Sequence, residues 1–125
     1  MGALSPGGAM TETQLRLACE ITSAREALVT LSGELDIVSS DTVFGYVRDV
    51  IDRHHLPVIL NMADLTFCDA RGLGTLVRIS KYGDRAGCSL WLASPRSHLL
   101  KLIRITGLDR SLAIRVPQPA QPSPL

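Results

Sequence analysis

Two short stretches hold the residues whose types and spacing suit binding chemistry: Gly33-Glu34-Leu35-Asp36 and Phe67-Cys68-Asp69-Ala70-Arg71-Gly72-Leu73-Gly74. Each sets acidic groups just after an apolar strand, and in open parallel sheets binding groups collect at the carboxyl ends of strands. Asp69 has a second reading as a helix N-cap that accepts from the backbone N–H groups of Arg71 and Gly72, a role that contributes about 1 kcal/mol. Asp36 is likewise open between a binding group and a turn-forming aspartate. Arg71 is either a guanidinium fork for a carboxylate or phosphate, or a solvated charge on a first helical turn.

Catalytic signatures are scarce elsewhere. Gly72-Leu73-Gly74 is the only Gly-x-Gly, and Val77 stands where a dinucleotide fingerprint needs its third glycine. No Gly-Lys-Ser/Thr and no Gly-x-Ser-x-Gly occurs. His54, His55 and His98 have no carboxylate or cysteine at metal-ligand spacing. His54 and His55 fall where positive charge complements the negative end of a helix. Cys19, Cys68 and Cys88 are an odd number at wide spacings and read as buried thiols in a reducing cytoplasm. Cys68 and Cys88 are separated by a whole helix, too far apart for a disulfide. The expectation is a binding protein with no catalytic residue, no cofactor and no metal.

The composition narrows the partners. Thirteen basic and twelve acidic side chains, net +1 and scattered, give no field for steering a polyanion. No apolar run is long enough to span a bilayer, and the opening residues lack the basic and apolar regions of a secretory signal. The chain reads as soluble and cytoplasmic, with neither nucleic acid nor membrane as partner. Its 125 residues, 46% of them apolar, suffice for one core without disulfides or a structural metal.

The elements that must position the two stretches follow from periodicity. Residues 1–12 read as a flexible leader and residues 117–125, with Pro117, Pro119, Pro122 and Pro124, as a proline-rich tail. Between them, alternation at Leu15, Leu17 and Cys19, a polar break at 22–25 and the run 27–31 predict a hairpin. Ser39-Ser40 offers an N-cap to a helix whose inner face carries Val43, Val47, Val50 and Ile51 and which ends near His54. Residues 57–62 predict a buried strand followed by a polar turn. Asp69 then caps a second helix with Leu73, Leu76, Val77 and Ser80 inward, its frayed end bracketed by Gly83 and Gly87. Residues 88–93 form another strand. Ser94-Pro95 opens a third helix with Leu99, Leu102 and Ile103 inward, Gly107 ends it, and 111–116 is the last strand. The order β-β-α-β-α-β-α-β predicts an α/β fold: a mixed, mostly parallel sheet flanked by helices, with an antiparallel strand at one side.

Gly33-Glu34-Leu35-Asp36, then Leu65-Thr66-Phe67-Cys68-Asp69-Ala70-Arg71-Gly72-Leu73-Gly74, then Ile105-Thr106-Gly107-Leu108 resemble, in order and spacing, the STAS domain of anti-sigma factor antagonists. The resemblance covers residues 13–116. It implies a STAS-like fold and a protein that captures an anti-sigma factor of the histidine-kinase-like ATPase type, releasing the held sigma factor. The partner-binding residues it implies are Asp36, Ser39, Asp69, Ala70, Arg71, Gly72 and Leu73, in a monomer or weak homodimer. In phosphorylated members the loop reads Asp-Ser-Ser-Gly or Asp-Ser-Thr-Gly, and the serine after the aspartate takes the phosphate. Here that position is Ala70, which has no hydroxyl, so the resemblance implies a binding surface without its usual switch. Many members also close with a further helix, whereas here Val116 leads straight into the proline-rich segment. Two other readings stay open. One is a STAS docking subunit of a larger complex, such as a lipid transporter or stress-signalling scaffold. The other is a small-nucleotide binder, disfavoured by the missing phosphate loop.

Overall fold

The computed structural model describes residues 10–12 and 14–115. They form a six-stranded sheet whose strands lie side by side in chain order. β2 (Leu15–Ile21) and β3 (Ala27–Leu35) make the expected hairpin, closed by a turn in which Arg25 takes a positive φ. β3, β4 (Val58–Cys68), β5 (Leu90–Ala93) and β6 (Ala113–Arg115) run parallel. α1 (Ser40–His54), α2 (Ala70–Ala86) and α3 (Ser97–Ile105) make the successive crossovers. Because neighbouring strands are consecutive in the chain and such crossovers are right-handed, the helices share one face of the sheet. Leu17, Leu31, Leu60 and Leu92 pack there against Val47, Ile51, Leu76, Ile79, Leu99 and Ile103, all fully or almost fully buried.

The architecture is the predicted one, with local differences. Met10–Glu12, assigned above to the leader, is a short strand β1 paired antiparallel with β2. The remaining leader residues 1–9 and the tail 117–125 lie outside the described residues. β3 and β4 are both longer than their apolar runs. The polar turn expected after residue 62 does not exist, because β4 continues to Cys68 alongside β3, with register irregularities at Thr30/Ser32 and Gly33/Glu34. Gly33 makes the second irregularity feasible: its φ is +109° and a Cβ there would collide with the Gln14 carbonyl oxygen. α3 starts at Ser97 and not at Pro95, with Ser94 held at a positive φ and Arg96 at the N-cap position. Gly83 does not fray α2. It is buried inside the helix, where a Cβ would press at 3.0 Å on the Cys88 carbonyl oxygen, and the left-handed Gly87 ends the helix. Val77 is half-buried, while Thr75 and Ile79 complete the inner face. Among the described residues no helix is long and apolar enough to cross a membrane.

Candidate functional site

Leu35 and Cys68 are register partners at the C-terminal ends of neighbouring parallel strands. The two stretches singled out in the sequence therefore leave the sheet side by side, β3 into α1 and β4 into α2. A hydrogen bond from Asp69 N–H to the Leu35 carbonyl at 3.4 Å ties them together, and Thr66 Oγ1 donates to the Gly33 carbonyl at 3.0 Å.

The β4–α2 loop is held from within. Asp69 is extended at the N-cap (φ −93°, ψ −172°), and its Oδ1 accepts from Gly72 N–H at 2.9 Å. This is the cap predicted, with one donor in place of two. Gly72 lies buried against β3, where a Cβ would stand 2.6 Å from the Leu35 carbonyl oxygen and 2.9 Å from Cys68 Sγ. Leu73 is buried in the core. Ala70 and Arg71 face outward and are exposed.

The β3–α1 loop turns on Asp36. Its Oδ1 accepts from Val38 N–H at 3.0 Å and Ser39 N–H at 3.2 Å, an aspartate turn that leads into α1. Ser39 is not the side-chain cap that the sequence suggests. Its hydroxyl accepts from Asp36 N–H at 3.1 Å and lies 3.2 Å from both the Glu34 carbonyl and Asp36 Oδ1. Only 4% exposed, Ser39 shapes the loop from inside. Ser40 Oγ donates to the Asp36 carbonyl at 2.6 Å. With the Asp36 carboxylate turned to its own backbone, what the β3–α1 loop presents is apolar: Ile37 is 58% and Val38 72% exposed.

Between the N-terminal halves of α1 and α2 lies an open groove of about 330 Å3, lined by Ile37, Ser40, Asp41, Ala70, Arg71, Gly74, Thr75 and Arg78. Thr75 Oγ1 is spent on the Arg71 carbonyl at 3.1 Å. Arg78 sits 4.4 Å from the centroid of the Phe44 ring and 3.8 Å from Asp41 Oδ1. Phe44 also meets Tyr82 edge-on at 6.0 Å. Of the sequence-predicted set, the structure brings Ala70 and Arg71 to the groove, leaves Asp36 and Asp69 half-buried as loop organisers, and buries Ser39, Gly72 and Leu73. Ile37, Val38, Asp41 and Arg78 escaped the sequence reading. The spacing Arg71, Gly74, Thr75, Arg78 marks one helical face, but nothing in the sequence says that α1 stands opposite it.

The other sequence candidates lie apart from this surface. His54 ends α1 and His55 follows it at a left-handed C-cap, and both are exposed. His98 is exposed on α3. All three cysteines are free; Cys68 and Cys88 are buried, whereas Cys19 is only half-buried. Burial, then the adjacent Asp69 charge, pushes the Cys68 thiol up to about 12, so it is no nucleophile at neutral pH. Among the described residues no group of three His, Cys, Asp or Glu side chains is placed to hold a metal.

Comparison with known proteins agrees with the fold. A family model described as the STAS domain matches residues 18–118. A Thermotoga maritima protein described as a candidate anti-sigma factor antagonist is 24% identical, with a TM-score of 0.67 over 82% of this chain and 86% of that one. The Bacillus anti-sigma factor antagonist SpoIIAA in its unphosphorylated form is 19% identical, with a TM-score of 0.65 over 79% of this chain and 87% of that one. Murine Slc26a9, an anion transporter, matches 68% of this chain with 14% of its own, at 19% identity and a TM-score of 0.61.

Proposed function

The chain belongs to the STAS domain family, and from that premise we propose that it is an anti-sigma factor antagonist whose partner is a kinase-like ATPase anti-sigma factor. By occupying that factor it releases the sigma factor held there, as a cytoplasmic binding protein without catalysis of its own. The observation that carries the reading is the outward placement of Ala70 and Arg71 at the start of α2, beside exposed Ile37 and Val38. Adjacent exposed apolar side chains on rigidly held loops mark an interaction surface, and here both loops are fixed by internal hydrogen bonds before any partner arrives.

The same placement supports an unswitched antagonist. A phosphate at the start of α2 would add about −1.5 to −2 charges, tolerated by the helix N-terminus but opposed by a packed or acidic partner surface. Ala70 has no hydroxyl for a phosphoester, and the neighbouring hydroxyls of Ser39, Ser40 and Thr75 are largely buried and bonded to their own loop or helix. Binding is then governed by the amounts and affinities of the proteins alone. A pull-down with the purified kinase-like anti-sigma factor, followed by incubation with labelled ATP, tests both halves. Capture without phosphate uptake is expected, and efficient incorporation anywhere in residues 66–75 overturns the unswitched version.

A second reading, a STAS docking module within a larger assembly, is favoured by the likeness to part of a transporter. Under it the same surface docks the assembly, and the kinase-like factor fails to bind.

A further inference from the structure

Two glycines near the start of α2 are glycines for opposite reasons. Gly72 has no room for a side chain, because Leu35 and Cys68 press on it. Gly74 has room to spare: a Cβ there would meet nothing within 4 Å. A glycine inside an exposed helix costs about 1 kcal/mol relative to alanine, and the isolated fold gains no contact from this one. Arg71 breaks a second local rule, since a cation in the first turn opposes the helix dipole. Departures from local consistency concentrate where function needs them.

Gly74 lowers the floor of the groove between Arg71 and Arg78, which lie on the same helical face about 10 Å apart along the axis, two turns of helix. Among the described residues Arg71 makes no ion pair. Arg78 is steadied over the Phe44 ring, and the carboxylate it pairs with, Asp41, has a side chain 96% exposed, a pairing weak enough to be exchanged. Asp36 and Asp69 are turned to backbone N–H groups. Two arginines against the one aspartate Asp41 leave the groove lining with a net positive charge, and its rim at Ile37 is apolar.

We infer that the groove seats an acidic helix of the partner, which approaches closely over Gly74 and sets two carboxylates, about two turns apart, against Arg71 and Arg78. This rests on the reading that the loop end of the sheet is the docking surface, and it names the partner chemistry recognised there. Close approach of two helices needs a missing side chain at the crossing point, and charge pairs on either side of that point fix register and orientation. Ile37 covers an apolar side chain at the rim of the contact.

Calorimetric titration of the purified full chain with the purified kinase-like anti-sigma factor tests this, at low and physiological salt. Gly74→Ala is expected to hold or raise the thermal midpoint of the free protein while weakening binding about tenfold. Arg71→Glu and Arg78→Glu are each expected to weaken binding about tenfold and to flatten its salt dependence. Ala70→Glu separates this inference from the reading beneath it. If the wild type does not bind, or Ala70→Glu binds as well as wild type, the docking reading fails and the inference with it. If Ala70→Glu abolishes binding while the Gly74 and arginine variants bind as wild type, the inference alone is overturned. A lowered midpoint for Gly74→Ala overturns it as well, since the glycine then serves the fold.

Discussion

Leu35 and Cys68 pair across β3 and β4 at the last position of each strand, and Gly72 is wedged against both. That contact fixes how α2 leaves the sheet. Gly72→Ala must shift a backbone carbonyl and a buried thiol, and overpacking of this kind costs about 1–3 kcal/mol. Urea denaturation is expected to show that loss, set against no loss for Gly74→Ala two residues on.

Asp69→Ala removes the acceptor for Gly72 N–H and is expected to lower stability by about 1 kcal/mol. Asp69→Asn keeps an oxygen in place and is expected to recover most of it. Equal losses for the two variants would mean that the carboxylate charge, and not the cap, is what matters there.

Asp36→Ala leaves Val38 N–H and Ser39 N–H without their shared acceptor. The expected loss is about 1–2 kcal/mol, with amide hydrogen exchange quickening at Val38 and Ser39 but not at the paired strand residues Leu31 or Leu60. Unchanged exchange at those two amides would contradict the turn described.

The fold was readable because its periodic signals agree: the hairpin alternation, the helical faces at Val43, Val47, Val50 and Ile51, and the left-handed glycines Gly87 and Gly107. Misreadings arose where tertiary pairing overrides pattern. Residues 63–67 look like a turn because Ala63, Asp64, Thr66 and Phe67 are exposed, yet β3 holds them in a strand. Ser39 looks like an N-cap because serine favours that position, but its hydroxyl is turned back onto Asp36, three residues earlier. Asp69 and Arg71 were legible from local sequence, and Ala70 from the family resemblance. Arg78 and Ile37 were not, because their meeting depends on α1 and α2 packing side by side.

Thiol chemistry offers a separate check on packing. Burial and the Asp69 charge raise the Cys68 thiol from an ordinary 9.0 to about 12. With the folded value raised, the stabilising contribution of the neutral thiol is complete below pH 9 and is lost progressively as pH rises toward about 12. At pH 8, iodoacetamide is expected to label half-buried Cys19 first and to reach Cys68 only on unfolding. Labelling of Cys68 in the native protein at the rate of Cys19 would contradict its placement.

The central claim is that the Asp69–Gly72 corner presents a docking surface whose phosphorylation site has been lost at Ala70. The most direct measurement is the affinity of the kinase-like anti-sigma factor for wild type and Ala70→Ser, each before and after incubation with ATP. Wild type is expected to keep its affinity with no phosphate incorporated, while Ala70→Ser gains one phosphate and loses binding at least tenfold. A wild type that is phosphorylated and released in the same assay, or an Ala70→Ser protein that takes up phosphate yet stays bound, would contradict the account.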